Sequence, residues 1–104
     1  MIRHCVFVKY RAVVDGDQRR SIAAALEALT PKIAGMRGVL SGQSVSPEGL
    51  GKGFDDGFII DFEDAAARDA YLVHPDHQAA GGRIVAAAED GVNGVFVFDF
   101  ELPG

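Results

Sequence analysis

Cysteine is almost absent from this sequence. Cys5 is the only cysteine among 104 residues, so the chain cannot form an internal disulfide. A lone thiol within an apolar run usually behaves as a small buried hydrophobic side chain. This usage fits a reducing, cytoplasmic location, and Cys5 has no evident paired base that would make it a nucleophile.

Positive charge is also scarce. Ten Lys and Arg residues stand against fifteen Asp and Glu residues, which gives a net charge of −5, and no basic cluster occurs anywhere in the chain. Attraction to phosphate backbones or to anionic lipid requires such clusters. We therefore expect neither nucleic acid nor a membrane surface to be a partner.

Long apolar runs are missing as well. No stretch approaches the roughly 20 apolar residues that span a bilayer, and the N-terminus lacks the pattern of a signal peptide. With 48% apolar and 24% charged residues, the composition is that of a folded globular protein. We expect one domain over residues 1–104, without membrane insertion or export.

Phosphate-binding and metal-binding motifs are not evident either. Gly49, Gly51 and Gly53 precede a strand rather than a helix N-terminus, so they are not placed to cradle a phosphate. A metal would have to use the histidines near Pro75, which disrupts the regular helical spacing of zinc ligands. The sequence predicts no metal and no cofactor.

The hydrophobic pattern predicts alternating strands and helices. Period-two alternation indicates strands, and apolar residues three and four apart indicate an amphipathic helix. Asp15 and Gln18 form a capping box, and Pro31 predicts a kink. In chain order we predict a strand over Ile2–Tyr10, a helix from about Asp17 to Gly35, a strand over Val39–Val45, a loop over Pro47–Gly57, a strand over Phe58–Phe62, a helix over Ala65–Val73, a further helical segment from Pro75 to about Glu89, and a strand over Val92–Leu102.

This order is β-α-β-β-α-β with a broken second helix, which matches the split βαβ plan of an α+β ferredoxin-like sandwich. The last strand is largely apolar on both faces, since Phe96, Phe98 and Phe100 alternate with Val95, Val97 and Asp99. Two helices cover only one face of such a sheet, and soluble monomers rarely expose several hundred Å² of contiguous apolar surface. We therefore predict a homodimer in which sheet packs on sheet.

The segment from Tyr71 to His77 has the highest concentration of side chains suited to proton transfer, with a phenol and two imidazoles close to Pro75 in sequence. His77 would titrate near neutral pH and so could take or give a proton, and a chain reversal at Pro75 would bring Tyr71 towards it. His4 lies on an apolar strand face that could point into the same cavity. Each has a structural alternative: Tyr71 as a core anchor, His74 as a brace for a helix end, and His4 as a satisfied core residue.

The Tyr71-x-x-His74-Pro75-x-His77 segment, His4 and Lys9 in the first strand, Phe62, and the closing run Val95–Phe100 together resemble the stress-responsive dimeric α/β barrel (Dabb) domain family. The resemblance spans nearly the whole chain. It implies two sheets that close into a barrel at a dimer interface, with a pocket between each sheet and its helices. Phe100 stands where a Tyr often follows the closing Asp, and Gly81-Gly82 interrupts the last helix.

Most such domains have no assigned activity, while some plant members cyclise linear polyketides with the Tyr and the second His of this motif. The resemblance thus implies catalytic roles for Tyr71 and His77 and ligand contacts for His4, His74 and Phe62. Three functions stay open: binding of a small, largely apolar organic molecule with acid/base chemistry, a cofactor-free cyclase or monooxygenase-like enzyme, and a non-catalytic stress-associated structural or assembly protein. A cavity lined by Tyr71 and His77 would favour the first two.

Overall fold

The computed structural model describes residues 1–103 and has the predicted α+β ferredoxin-like fold. Its strands are β1 (Ile2–Val8), β2 (Met36–Gln43), β3 (Asp56–Phe62) and β4 (Val95–Glu101), and its α-helices are α1 (Gly16–Glu27), α2 (Ala65–Val73) and α3 (Pro75–Ala87). The sheet is antiparallel in the order β2-β3-β1-β4. None of the helices in residues 1–103 is long and apolar enough to cross a membrane.

The core lies between one face of the sheet and the helices. The central strands supply its middle, where Val8, Ile60 and Phe62 are completely buried. Helix α1 adds Ile22 and Leu26, which lie four residues apart and therefore on one side of the helix. Alternation along β1 and β3 thus places every second side chain against the helical layer.

Helix α1 begins with the predicted capping box, but the prediction that it extends to Gly35 is wrong. Asp15 and Gln18 cap each other's backbone amides at 2.8 and 2.9 Å. The helix ends at Glu27, and Pro31 lies within a separate 3-10 turn over Thr30–Lys32. Proline has no amide hydrogen, and its ring would clash with the carbonyl four residues earlier.

The strand boundaries also differ from the prediction. Strand β1 ends at Val8 rather than Tyr10, β2 at Gln43 rather than Val45 and β4 at Glu101 rather than Leu102, and β3 begins at Asp56 rather than Phe58. The starts of β2 and β4 differ as well, and each has a local cause. Strand β2 starts at Met36 rather than Val39, because a register irregularity between these residues accommodates a positive φ of 112° at Gly38. Strand β4 starts at Val95 rather than Val92, because Gly91–Gly94 forms a 3-10 turn after the left-handed Asp90. The pattern of apolar residues along the sequence does not reveal either of these local backbone irregularities.

The predicted break in the second helical segment is confirmed. Helix α2 is capped by the Asp64 side chain and ends at Val73, and α3 begins at Pro75. His74 between them has extended backbone geometry, with φ −66° and ψ 134°. Gly81-Gly82 does not interrupt α3, which continues to Ala87.

The opposite face of the sheet carries exposed aromatic side chains in this chain. Phe96, Phe98 and Phe100 of β4 are 51%, 54% and 41% exposed. Phe7 of β1 lies beside Phe96, with ring centroids 6.3 Å apart. This two-sided apolar pattern is the one on which the dimer prediction depends.

Candidate functional site

The break between α2 and α3 brings together the two residues expected to act as a pair. Tyr71 lies in the last turn of α2 and His77 in the first turn of α3. Their ring centroids are 4.2 Å apart, with an interplanar angle of 47°. A continuous helix would place residues six apart on different sides, so the reversal at Pro75 creates this contact.

Tyr71 is packed into the core. Only 1% of the residue is exposed. Its ring also lies 5.1 Å from the ring of Phe62 and 5.9 Å from that of His4, measured between centroids. Burial raises the pKa of Tyr71 well above its usual range, so the phenol is protonated at neutral pH and has a proton to donate to a hydrogen bond.

His77 is the half-buried member of the pair. Its Nδ1 lies 3.2 Å from the carbonyl oxygen of Leu72, and because a carbonyl only accepts, Nδ1 must carry the proton. Burial lowers the pKa of His77 below its ordinary value; the Leu72 bond opposes that shift, and the neighbouring His4 and His74 add to it. At neutral pH the ring is therefore neutral, and Nε2 keeps a free lone pair for accepting a proton.

His4 joins this cluster together with two residues that the sequence analysis did not propose. Its Nδ1 donates to Oδ1 of Asp99 at 2.6 Å, and Nη1 of Arg68 donates to Oδ2 of the same carboxylate at 3.2 Å. His4 and Asp99 are direct partners in the pairing of β1 with β4. An acidic residue between two phenylalanines of β4, at a position that antiparallel pairing sets opposite a histidine, was the signal that could have found Asp99.

The remaining expected ligand contacts occupy structural positions. Phe62 is fully buried and packs against Tyr71 and His4. Nδ1 of His74 accepts a hydrogen bond from the backbone amide of Asp76 at 3.0 Å, which caps α3. His74 also lines a shallow groove with Lys32 and Glu63 along α2.

A cavity does lie between the sheet and a helix, but at the opposite end of β1 from His4. It has a volume of about 210 Å³ and is lined by Tyr10, Arg19, Ala23, Asp56 and Phe58 among others. Across residues 1–103, the His, Cys, Asp and Glu side chains form no group of three or more that could hold a metal ion.

Comparison with known proteins places the chain in a family. The model of the stress-responsive A/B barrel domain matches residues 2–102. A dimeric ferredoxin-like protein of unknown function from Jannaschia sp. CCS1 is 34% identical, with a TM-score of 0.88 over 97% of this chain and 98% of that one. Among curated proteins, none matches this chain.

Two plant proteins share the fold at lower identity. A protein from Arabidopsis thaliana is 21% identical, with a TM-score of 0.87 over 100% of this chain and 97% of that one. A hydroxynitrile lyase from Passiflora edulis is 20% identical, with a TM-score of 0.83 over 98% of this chain and 93% of that one. With the family model matching nearly every residue, the chain belongs to the stress-responsive A/B barrel (Dabb) domain family.

Proposed function

We propose that this protein is a homodimer that binds a small, largely apolar organic molecule beside the Tyr71–His77 pair and transfers a proton to and from it. The observation that carries the proposal is the contact between these rings, 4.2 Å between centroids, at the end of the core. The protonated phenol of Tyr71 can donate a hydrogen bond, and the neutral imidazole of His77 beside it can accept a proton. Neither group needs a cofactor for this chemistry.

The two side chains have complementary roles in this proposal. Nε2 of His77 accepts a proton from the carbon next to a ligand carbonyl, and the Tyr71 hydroxyl donates a hydrogen bond to the carbonyl oxygen as negative charge develops there. His77 then returns the proton, so that no net charge is transferred. His4, fixed by Asp99 and Arg68, forms a rigid wall of the cluster.

The dimer part of the proposal rests on the outer face of the sheet. Its exposed phenylalanines form the kind of apolar surface that soluble proteins cover. The similar proteins from Jannaschia and Thermobifida fusca, 34% and 27% identical, are both described as dimeric. A second copy packed sheet on sheet would bury these rings and leave the helical side free for the ligand.

A non-catalytic assembly role is the second candidate, and the near-complete burial of Tyr71 favours it. In that case the rings of Tyr71, His77 and Phe62 merely fill the core. The hydroxynitrile lyase from Passiflora edulis shows that the fold accommodates catalysis in at least one protein.

The test uses Tyr71→Phe and His77→Ala, each first shown to be folded and to have the wild-type mass in solution. Acetophenone and related small ketones are the probes: saturation-transfer NMR measures binding, and deuterium incorporation next to the carbonyl in D2O measures proton transfer. His74→Asn is the matched control, because it alters a nearby histidine outside the pair while keeping a capping acceptor.

We expect His77→Ala to abolish deuterium incorporation while binding persists, and Tyr71→Phe to slow it. Loss of binding in both variants, with no exchange in the wild type, would indicate a receptor rather than a catalyst. Wild-type binding and exchange in both variants would remove this pair from the site. Absence of any binding to the wild type would favour the assembly role.

A further inference from the structure

A charged pair lies on the outer face of the sheet. Arg3 of β1 donates from Nε and Nη2 to the two carboxylate oxygens of Asp61 of β3, both at 2.8 Å. Alternation places both side chains on the outer face, because their neighbours His4 and Ile60 are buried on the core side. The hydrogen bonds from Arg3 lower the pKa of Asp61, so both groups are charged at neutral pH.

The surroundings of this pair are uncharged. The other outward-facing residues of the two central strands are Cys5, Phe7, Gly57 and Ile59. On the β4 side, the pairing partner of Arg3 is Phe100. The side chains of Arg3 and Asp61 are 37% and 22% exposed, so water still reaches them. A second sheet packed on this face would remove that water.

Covering the pair creates a demand for further hydrogen-bond acceptors. A guanidinium has five N–H donors, and the hydrogen bonds that Arg3 makes within residues 1–103 use two of them. Removing water from the other donors costs free energy unless the covering surface supplies acceptors. A surface of hydrocarbon alone supplies none. The outer face therefore favours a partner that carries a carboxylate opposite Arg3.

A second copy of this chain carries that carboxylate in a suitable place. Strands β3 and β1 are the central strands of the sheet, and Arg3 and Asp61 are direct partners across the midline between them. A twofold axis along this midline, between two stacked sheets, exchanges the two sides of the midline. Arg3 of each copy then faces Asp61 of the other. Stacked sheets lie about 10 Å apart, a gap that arginine and aspartate side chains can bridge from opposite sides.

The alternative axis gives a worse match. A twofold axis across the middle of the strands would place the charged pair over the opposite ends of β1 and β3, where Phe7 and Gly57 face outwards. Neither side chain offers an acceptor for the remaining N–H groups of Arg3. The charges thus distinguish between two ways of stacking the same apolar face.

We infer that Arg3 and Asp61 fix the orientation of the dimer, because the pairs of the two copies meet at the twofold axis as a closed ring of four alternating charges. This inference rests on the proposed homodimer. Complementary charges across an interface fix its register, and like charges that face each other exclude a wrong partner. The outer face thereby accepts a second copy in one orientation and rejects a copy whose charges are reversed.

The test is a charge reversal, Arg3→Asp with Asp61→Arg. The doubly substituted chain keeps an ion pair across its own strands with opposite polarity, so we expect it to fold and to form homodimers. In a mixed dimer with the wild type, like charges would face each other at both contacts. Native mass spectrometry of an equimolar mixture with isotope-labelled wild type should show at least about 10-fold less mixed dimer than random pairing gives.

Two controls accompany this mixture. Labelled and unlabelled wild type, mixed in the same way, should reach random proportions and so establish that subunits exchange. Reversal of the exposed pair on α1, Asp17→Arg with Arg20→Asp, alters the same charges away from the outer face. This variant should form mixed dimers with the wild type in random proportions.

A second set of variants tests the burial of the pair. Arg3→Leu leaves the carboxylate of Asp61 uncompensated within the interface and should weaken the dimer on the order of 100-fold. Arg3→Leu combined with Asp61→Leu removes both charges and should return the affinity to within about 10-fold of the wild type. Sedimentation across a range of concentrations measures both, after circular dichroism shows that each variant is folded.

The outcomes separate this inference from the homodimer itself. Mixed dimers of the charge-reversed variant and the wild type in random proportions would overturn the inference and leave the homodimer standing. Wild-type affinity in Arg3→Leu would do the same. A wild type that stays monomeric at micromolar concentration would overturn both.

Discussion

His77 links protonation to folding at the scale of one residue. Burial lowers its pKa below the ordinary value of 6.5, so the unfolded chain binds the proton more readily than the folded protein does. Stability from this group is therefore fully present above pH 6.5 and is lost as the pH falls from there through the lower pKa of the folded state. His77→Gln should remove this part of the pH dependence.

Urea unfolding of the wild type and His77→Gln at several pH values between 5 and 7.5 checks this. The carbon shift of the His77 ring gives the pKa of the folded state directly. A folded-state pKa above 6.5, or an unchanged pH dependence in His77→Gln, would contradict the neutral-base role.

The sequence predicted part of this site and missed the rest for a physical reason. The contact between Tyr71 and His77 was predictable, because Pro75 disfavours a continuous helix and a reversal of the chain there brings two residues only six apart close together. Asp99 and Arg68 were not proposed, because the contact of Asp99 with His4 depends on the register of β1 against β4. The contact of Arg68 with Asp99 depends on where α2 crosses the sheet. Tyr10 was predicted to end the first strand, but β1 ends at Val8, and Tyr10 makes only an isolated bridge to Ala88 beyond it.

His74 connects two elements, and its imidazole caps the second of them. Nδ1 accepts from the amide of Asp76 at the start of α3, so His74→Ala should cost about 1 kcal/mol of unfolding free energy, the usual value of a lost N-cap. His74→Asn, whose short amide is also a good cap, should restore most of it. Urea midpoints of the three proteins measure this, and equal midpoints for His74→Ala and the wild type would show that the cap contributes nothing.

Element boundaries were predicted best where a local signal determines them. Asp15 caps α1 as expected, and Pro75 separates α2 from α3. The errors at the end of α1 and the starts of β2 and β4 have a common origin: each lies beside a 3-10 turn or a positive φ, which apolar periodicity does not report. The ferredoxin-like order was insensitive to these errors, because none of them adds or removes an element.

The proposed dimer predicts a specific effect on the whole molecule. Phe98 lies on the outer face of β4 directly opposite Cys5, so Phe98→Glu would place an unpaired charge within the interface. Such a burial costs several kcal/mol, and each 1.4 kcal/mol is a factor of ten in affinity. We expect the dimer to dissociate on the order of 100-fold more readily.

Sedimentation across a range of protein concentrations measures this change. Val13→Glu is the control, because Val13 is an exposed valine in the turn between β1 and α1, away from the sheet face. A wild-type protein that stays monomeric at micromolar concentration would contradict the dimer. An unchanged mass for Phe98→Glu would show that the outer face of β4 is not the interface.

The two faces of strand β4 have different surroundings, because Asp99 contacts His4 on one face and the phenylalanines lie on the other. The strand should therefore tolerate substitutions better than insertions or deletions. Substitutions can alter Asp99 or the phenylalanines separately, because alternate residues point to opposite sides. An insertion or deletion of one residue within the strand would exchange the two faces. A phenylalanine would then lie beside His4, and Asp99 would lie among the exposed phenylalanine rings. We therefore expect related functional sequences to vary in composition along this strand while keeping its length unchanged.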